Sequence, residues 1–395
     1  MPINIDEVIA GRLERVAPRA FRMFGVAGES TLESTGGGVQ QSSSSAGLPN
    51  DADARAIADA LKRESGRHAA AAGPVAGRDL NIEADAIAAQ LVARANEVLA
   101  QLRAGGSLGE VSAEGAYALE SVMRVRGRPA LNVEGDSIEP IDGQKHPGSE
   151  FWLTFRSDYE NDLVSVASAT GAVMVKDRMG IQPNWVQGTA WLVKSNLVMT
   201  NRHVLFPPWG MRLARRIPGE TTTARFKSDL EVTIDFSFDD RQAGRALTCP
   251  VSEVLYVSQD ADPIDVALIR IGSPVETAQE LPAPLSISSS PGDYQYIYVM
   301  GHPGKMAKVP ENVLAVFGTP NERKRVSFGE TMDTSAPGPN EFLHDASTIG
   351  GYSGGCVLPF LKREVIGLHY YGNPLSGNRA FTAAALRAHP VGQFL

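Results

Sequence analysis

HDASTIGGYSGGCV, residues 344–357, sets one hydroxyl, that of Ser353, among small residues. Glycines on both sides allow close backbone approach and dihedrals that other residues avoid, so backbone amides can turn toward the oxygen of a substrate carbonyl. The spacing therefore suits a nucleophile. The competing reading is a glycine turn that happens to contain a serine.

A serine hydroxyl is a weak nucleophile at neutral pH and needs a base, itself oriented by a third group. Two short apolar runs, Gly188–Val193 and Asn196–Met199, have strand character, and Thr200-Asn201-Arg202-His203-Val204 follows directly. His203 thus stands at the end of a buried strand. Asp265 opens Asp265-Val266-Ala267-Leu268-Ile269, an acid at the mouth of another apolar run, where a carboxylate needs a partner. Asp260 and Asp262 compete for the orienting role, but they lie in a polar turn with no apolar run behind them.

Chain order separates two serine-hydrolase readings. GYSGG also fits a G-x-S-x-G elbow, in which acid and histidine follow the serine. Only Glu364, with His369 or His389, is left to fill those places, and too little chain remains to complete that sheet. The order His203, Asp265, Ser353 is that of chymotrypsin. With GTAWLV and LVMTNRHV, DVALI, STIGGYSGGCV and VIGLHYYG in sequence, the last 230 or so residues resemble the trypsin-like (chymotrypsin-fold) serine peptidases. They are most similar to the bacterial branch that includes the glutamyl endopeptidases.

The resemblance implies a mainly β fold of two six-stranded barrels with the site in the cleft between them. It also implies His203 as general base, Asp265 as its orienter and Ser353 as nucleophile, with the amides of Gly351 and Ser353 as the oxyanion hole. Ser347 would line the base of the specificity pocket. Thr348 and His369 match the positions that receive an acidic side chain, since a hydroxyl and an imidazole both donate to a carboxylate, and a partly protonated histidine adds charge. A small or apolar residue before the cut is the alternative. The chain departs from the family at Tyr352, where digestive members carry an aspartate that pairs with a newly cut N-terminus, and at Gly355-Cys356, where Cys356 reads as packing. Tyr352 also supports a rival reading, a catalytically silent peptide-binding module, because a bulky side chain there would misplace the Gly351 amide.

The rest of the chain frames this domain. A length of 395 residues predicts two domains, and a net charge of -8 offers no basic footprint for nucleic acid. The N-terminus lacks the uninterrupted apolar core of a secretory signal, no segment is long enough to span a membrane, and the two cysteines, Cys249 and Cys356, fit a reducing cytoplasm. No cofactor or metal is expected, because the histidines and cysteines show no ligand spacing.

Residues 1–25 read as an amphipathic helix, with Val8, Ile9, Leu13 and Val16 at helical spacing, and 26–51 as a flexible Gly/Ser-rich linker. Residues 52–126 read as helices over 53–67, 79–103 and 112–125, the second with a stripe of Ile87, Leu91, Val98 and Leu102. That region is either a regulatory or recruiting module, with a protein partner, or a brace for the peptidase-like part. Residues 127–164 form a connecting segment with a strand candidate at 130–134, and 165–395 the peptidase-like domain, whose partner would be a protein or peptide substrate. His302, in the Gly301–Gly304 turn, is expected to be structural. His344-Asp345 is set aside as a base and acid pair because neighbours in a strand point to opposite faces.

Overall fold

In the computed structural model, the described residues are 48–395 without 56, 59–60, 63–78, 105–110, 113, 116–117, 120–121, 123–126, 144–145, 147, 209, 241–245, 277–278, 291, 306–320, 333–337 and 373–376. The helix expected over 1–25 and most of the linker expected over 26–51 lie outside them. The chain divides into two compact units.

The first unit holds described residues of 48–128 together with 141–153. Its main element is α1 (Asp79–Arg103). Ala88, Val92, Ala95, Val98, Leu99 and Leu102 on α1 pack with Ile57, Leu119 and Val122. Of the stripe expected, Val98 and Leu102 are buried and Leu91 packs against the same cluster, while Ile87 is exposed and Ala88 and Ala95 fill the rest of the buried face. Upstream, the side chain of Asn50 accepts from the Ala52 amide while the Asp53 carboxylate accepts from the Asn50 amide, a reciprocal cap that starts a helix at Asp51.

The second unit takes in 129–140, 154–309 and 317–395. It opens with β1 (Ala130–Asn132), then α2 (Leu153–Asp158) and α3 (Glu160–Ser168). Eight strands make one sheet: β2 (Thr170–Asp177), β3 (Trp185–Lys194), β4 (Leu197–Thr200), β5 (Ala214–Arg216), β6 (Ala224–Phe226), β7 (Leu230–Asp235), β8 (Thr248–Val257) and β9 (Ala267–Ile271). Strand β9 pairs with both β4 and β8, which closes β7-β2-β3-β4-β9-β8 into a six-stranded barrel. A strand with one face in this core alternates, as β7 does, with Leu230, Val232 and Ile234 inward. Between β3 and β9, β4 is buried throughout.

A second sheet follows a two-residue parallel pairing of β10 (Ser286–Ile287) with β15 (Glu364–Val365). Its strands are β11 (Tyr296–Gly301), β12 (Arg325–Glu330), β13 (Glu341–His344), β14 (Cys356–Pro359), β16 (Gly367–Tyr371) and β17 (Asn378–Thr382), in the order β12-β11-β14-β16-β17-β13, with β1 added on β12. The fold is mainly β and chymotrypsin-like, as expected, with six strands in each half once β5, β6 and the added β1 are set apart. The second sheet is a curled half-barrel whose ends meet, among the described residues, in the Thr331–His344 bridge and the bonds beside it. The strand candidate at 130–134 becomes its added edge strand.

Helix α3 lays Leu163, Val166 and Ala167 inward. Beneath it, the buried Lys324 ammonium donates to the carbonyls of Ala167 at 2.7 Å and Phe236 at 2.6 Å, tying helix, first sheet and second sheet at one point. Replacing Lys324→Met keeps the length and removes both donors, leaving two carbonyls without this partner. Urea unfolding is expected to show a loss of about 2 to 3 kcal/mol; an unchanged midpoint would mean that the ammonium contributes nothing net.

Candidate active site

The last residue of β4 hands over to Asn201, whose extended backbone turns the chain into the one-turn helix α4 (Arg202–Leu205). The Asn201 side chain donates to the Asp265 carbonyl at 2.8 Å, so the start of α4 and the approach to β9 are held together. His203 meets Asp265 twice. Its backbone amide donates to Oδ1 at 3.0 Å, and its Nδ1 stands 2.7 Å from Oδ2. With both carboxylate oxygens engaged, the imidazole plane is fixed and Nδ1 carries the proton, which leaves Nε2 as the basic nitrogen.

The His203 side chain is 29% exposed and that of Asp265 only 15%. Burial pushes the Asp265 carboxyl up, but the hydrogen bond and charge of His203, together with Arg202, outweigh it and hold the group below its ordinary range. Its competitors are engaged elsewhere: Asp260 pairs with Arg216 at 3.0 Å and Asp262 with His389 Nε2 at 2.8 Å.

Ser353 lies on the loop between β13 and β14. Its carbonyl accepts from the Thr189 amide at 2.9 Å. A methyl group placed on Gly188 would meet Val204 of α4 at 2.7 Å and the Ser353 carbonyl at 3.2 Å, so the histidine helix and the serine loop converge on that point of β3. Gly351 and Gly354 have φ of 100° and 87°, the left-handed region that glycine adopts without strain. A side chain on Gly354 would also run into the Thr189 carbonyl and the Thr200 hydroxyl. The amides of Gly351 and Ser353 donate to no acceptor among the described residues.

The bulky Tyr352 side chain, expected to misplace the Gly351 amide, packs against Gly301 of β11. It is fully buried within the second sheet, with its hydroxyl 2.9 Å from Ser327 Oγ. Cys356 is buried 3.5 Å from the Thr170 hydroxyl, and both cysteines are free. Burial pushes the thiols up, Cys249 to about 11 and Cys356 to about 12, which suits packing rather than chemistry.

Of the three residues expected to form the specificity pocket, Ser347 and Thr348 are half-buried on the same loop and His369 is buried on β16. The Thr348 hydroxyl is shielded and has no hydrogen-bond partner among the described residues. His369 Nδ1 lies 3.2 Å from His344 Nε2. One expectation is corrected: His369 is not partly protonated, because burial, then the neighbouring His344 and His203, hold its imidazole well below the ordinary value. His344, on β13, thus faces His369 across the second sheet. Asp345 points elsewhere, accepting from the Glu330 amide at 2.7 Å.

Compared with known families, the chain matches the trypsin-like peptidase domain. Residues 188–368 match the model of that family. The matched stretch runs from the glycine before Thr189 to the residue before His369, and is under half of the chain. Among solved structures, the chain is similar to the Rv3671c protease from M. tuberculosis in its active form (16% identity over 57% of this chain and 81% of that one, TM-score 0.34). It is likewise similar to Deg5 (15%, 58% and 90%, TM-score 0.36) and to a serine endoprotease from Yersinia pestis (18%, 59% and 64%, TM-score 0.34). At these scores none of the three bears on what this chain does. No curated protein matches it.

The peptidase-like region keeps several histidines neutral. Burial, then the Lys324 charge, lowers His302 to about 3 against the opposing hydrogen bond to the Glu322 carbonyl. Burial lowers His344 to about 4 against Asp345. The unfolded chain protonates such groups near 6.5 while the native state does not, so stability is retained above that pH and falls on acidification, by up to about 1.4 kcal/mol per pH unit for each group. Urea midpoints are expected to drop between pH 6.5 and 4.5. His302→Asn, which keeps a donor toward Glu322, should flatten that slope; an equal slope would remove His302 as a contributor.

Proposed function

We propose that this chain is a serine endopeptidase working through Ser353, His203 and Asp265. The observation that carries this reading is the 2.7 Å contact of His203 with Asp265 on a helix that meets the Ser353 loop at Gly188. Ser353 Oγ attacks the peptide carbonyl as His203 Nε2 takes its proton, and the carbonyl oxygen becomes an oxyanion held by the amides of Gly351 and Ser353. The imidazolium, stabilised by Asp265, then gives its proton to the leaving amine as the carbon–nitrogen bond breaks. Water, deprotonated by His203, attacks the acyl-enzyme, and Ser353 recovers its proton through the imidazole.

The preference we propose is for an acidic residue before the cut. Here His344 donates from Nε2 to His369 Nδ1, so that His369 carries its own proton on Nε2. That N–H and the unpartnered Thr348 hydroxyl would then both donate to a carboxylate, with Ser347 at the pocket base. The pocket works by hydrogen bonds rather than by a charged histidine. We further propose that the enzyme acts in a reducing, cytoplasmic setting and that a protein partner aims or restrains it through residues 1–126. An unchanged set of cleaved proteins in cells after deletion of 1–126 would count against that last part.

The peptide-binding alternative loses the feature that favoured it, since the Tyr352 ring is buried away from the loop surface. The test is to incubate the full chain and its Ser353→Ala variant with a proteome-derived peptide mixture and identify new termini by mass spectrometry. Cuts present only with Ser353, after glutamate or aspartate, are expected, with the Ser353→Ala rate down by at least about a thousandfold. Serine-dependent cuts after other residues would discard the acidic pocket, and cuts that persist in Ser353→Ala would discard the nucleophile.

A further inference from the structure

The two amides assigned to the oxyanion belong to peptide planes whose carbonyls are tied from behind. The Gly350 carbonyl accepts from the Gly304 amide, and the Tyr352 carbonyl accepts from the Gly355 amide at 2.8 Å. A trans peptide sends its N–H opposite to its C=O, so anchoring those oxygens inward aims the N–H groups of Gly351 and Ser353 outward. The plane between them is held as well: the Gly351 carbonyl accepts from Thr189 Oγ1 at 2.9 Å, and the Tyr352 amide donates to the Ile349 carbonyl at 3.2 Å.

What holds the middle of this run is the side chain of Tyr352. Its ring lies over Gly301 of β11, where an added methyl would come within 2.6 Å of Cδ1, and its hydroxyl reaches Ser327 Oγ of β12 at 2.9 Å. Both Tyr352 and Ser327 are fully buried. Burial pushes the phenol up, so the hydroxyl keeps its proton for this contact. The loop is thereby fastened to the two strands behind it by a neutral bond that forms with the fold.

We propose that the Tyr352–Ser327 pair is a positioning device that holds the oxyanion loop in its reactive form in the free protein, so that neither a newly cut N-terminus nor a bound ligand is needed to form it. This rests on the reading of Ser353 as nucleophile, with Tyr352 acting through the backbone and not touching substrate.

The test uses the full chain with Tyr352→Phe, Ser327→Ala, the double variant, and Ser327→Thr as the conservative control. Amide hydrogen exchange over 348–356 and steady-state kinetics on one peptide cut by the wild type are measured together. Expected are a rise of about tenfold in exchange confined to that loop in each single variant, no further rise in the double, and restoration by Ser327→Thr. Expected too is a fall of about tenfold in kcat with KM within about twofold, less than the cost of deleting an oxyanion donor outright. Unchanged exchange in the loop, or an equal rise throughout both sheets, overturns the proposal. If the wild type cuts nothing while loop exchange behaves as expected, the positioning pair stands and the proposed activity falls.

Discussion

Everything at the site depends on how one residue, Thr189, is spent. Its amide donates to the Ser353 carbonyl, its hydroxyl donates to the Gly351 carbonyl and accepts from the His302 amide, and its carbonyl accepts from the Thr200 hydroxyl. Three of these bonds connect the closed barrel to the serine loop and to the turn after β11, and the fourth ties β3 to the end of β4 within the barrel. The residue is fully buried, so each of these groups would be costly if left unpaired. Satisfying them fixes the separation between the sheet that carries His203 and the loop that carries Ser353.

The same economy explains the buried ionisable groups. Asp265 keeps its charge because the His203 ring and amide both donate to its carboxylate and the Arg202 charge lies near, which together outweigh burial. His302, His344 and His369 lack such compensation and stay neutral, which makes them hydrogen-bonding groups and not charges. Lys324 is held by carbonyls from a helix and a strand end. Polar groups in this core are placed wherever two elements must keep a set distance, and their desolvation penalty enforces that distance.

Local chemistry made part of the arrangement legible. Apolar runs of strand length around 188–199 and 265–269 announced a β fold, and glycines around Ser353 announced a loop with left-handed dihedrals, because both signals live within a few residues. The 79–103 helix was readable to its ends, and so was most of its buried face: Val98 and Leu102 lie in the core and Leu91 packs against it, while Ile87 is exposed and the small Ala88 and Ala95, which large-residue counting passes over, complete the face. Likewise, the adjacency of His344 and Asp345 suggested nothing useful, since His344 acts across the sheet on His369 and not on its neighbour.

By itself the sequence determined residue types, their order and their local backbone preferences: a histidine after one buried strand, an aspartate before another, a serine among glycines, and an all-β second half. Only the tertiary structure decided which polar groups meet. The Thr189 hub, the Tyr352–Ser327 contact, the His344–His369 pair and the Gly304 support for Gly350 join residues separated by between 11 and 164 positions. The physical reason is that a hydrogen bond depends on a distance of about 3 Å and on angle, and sequence spacing carries neither once the chain has passed through another strand.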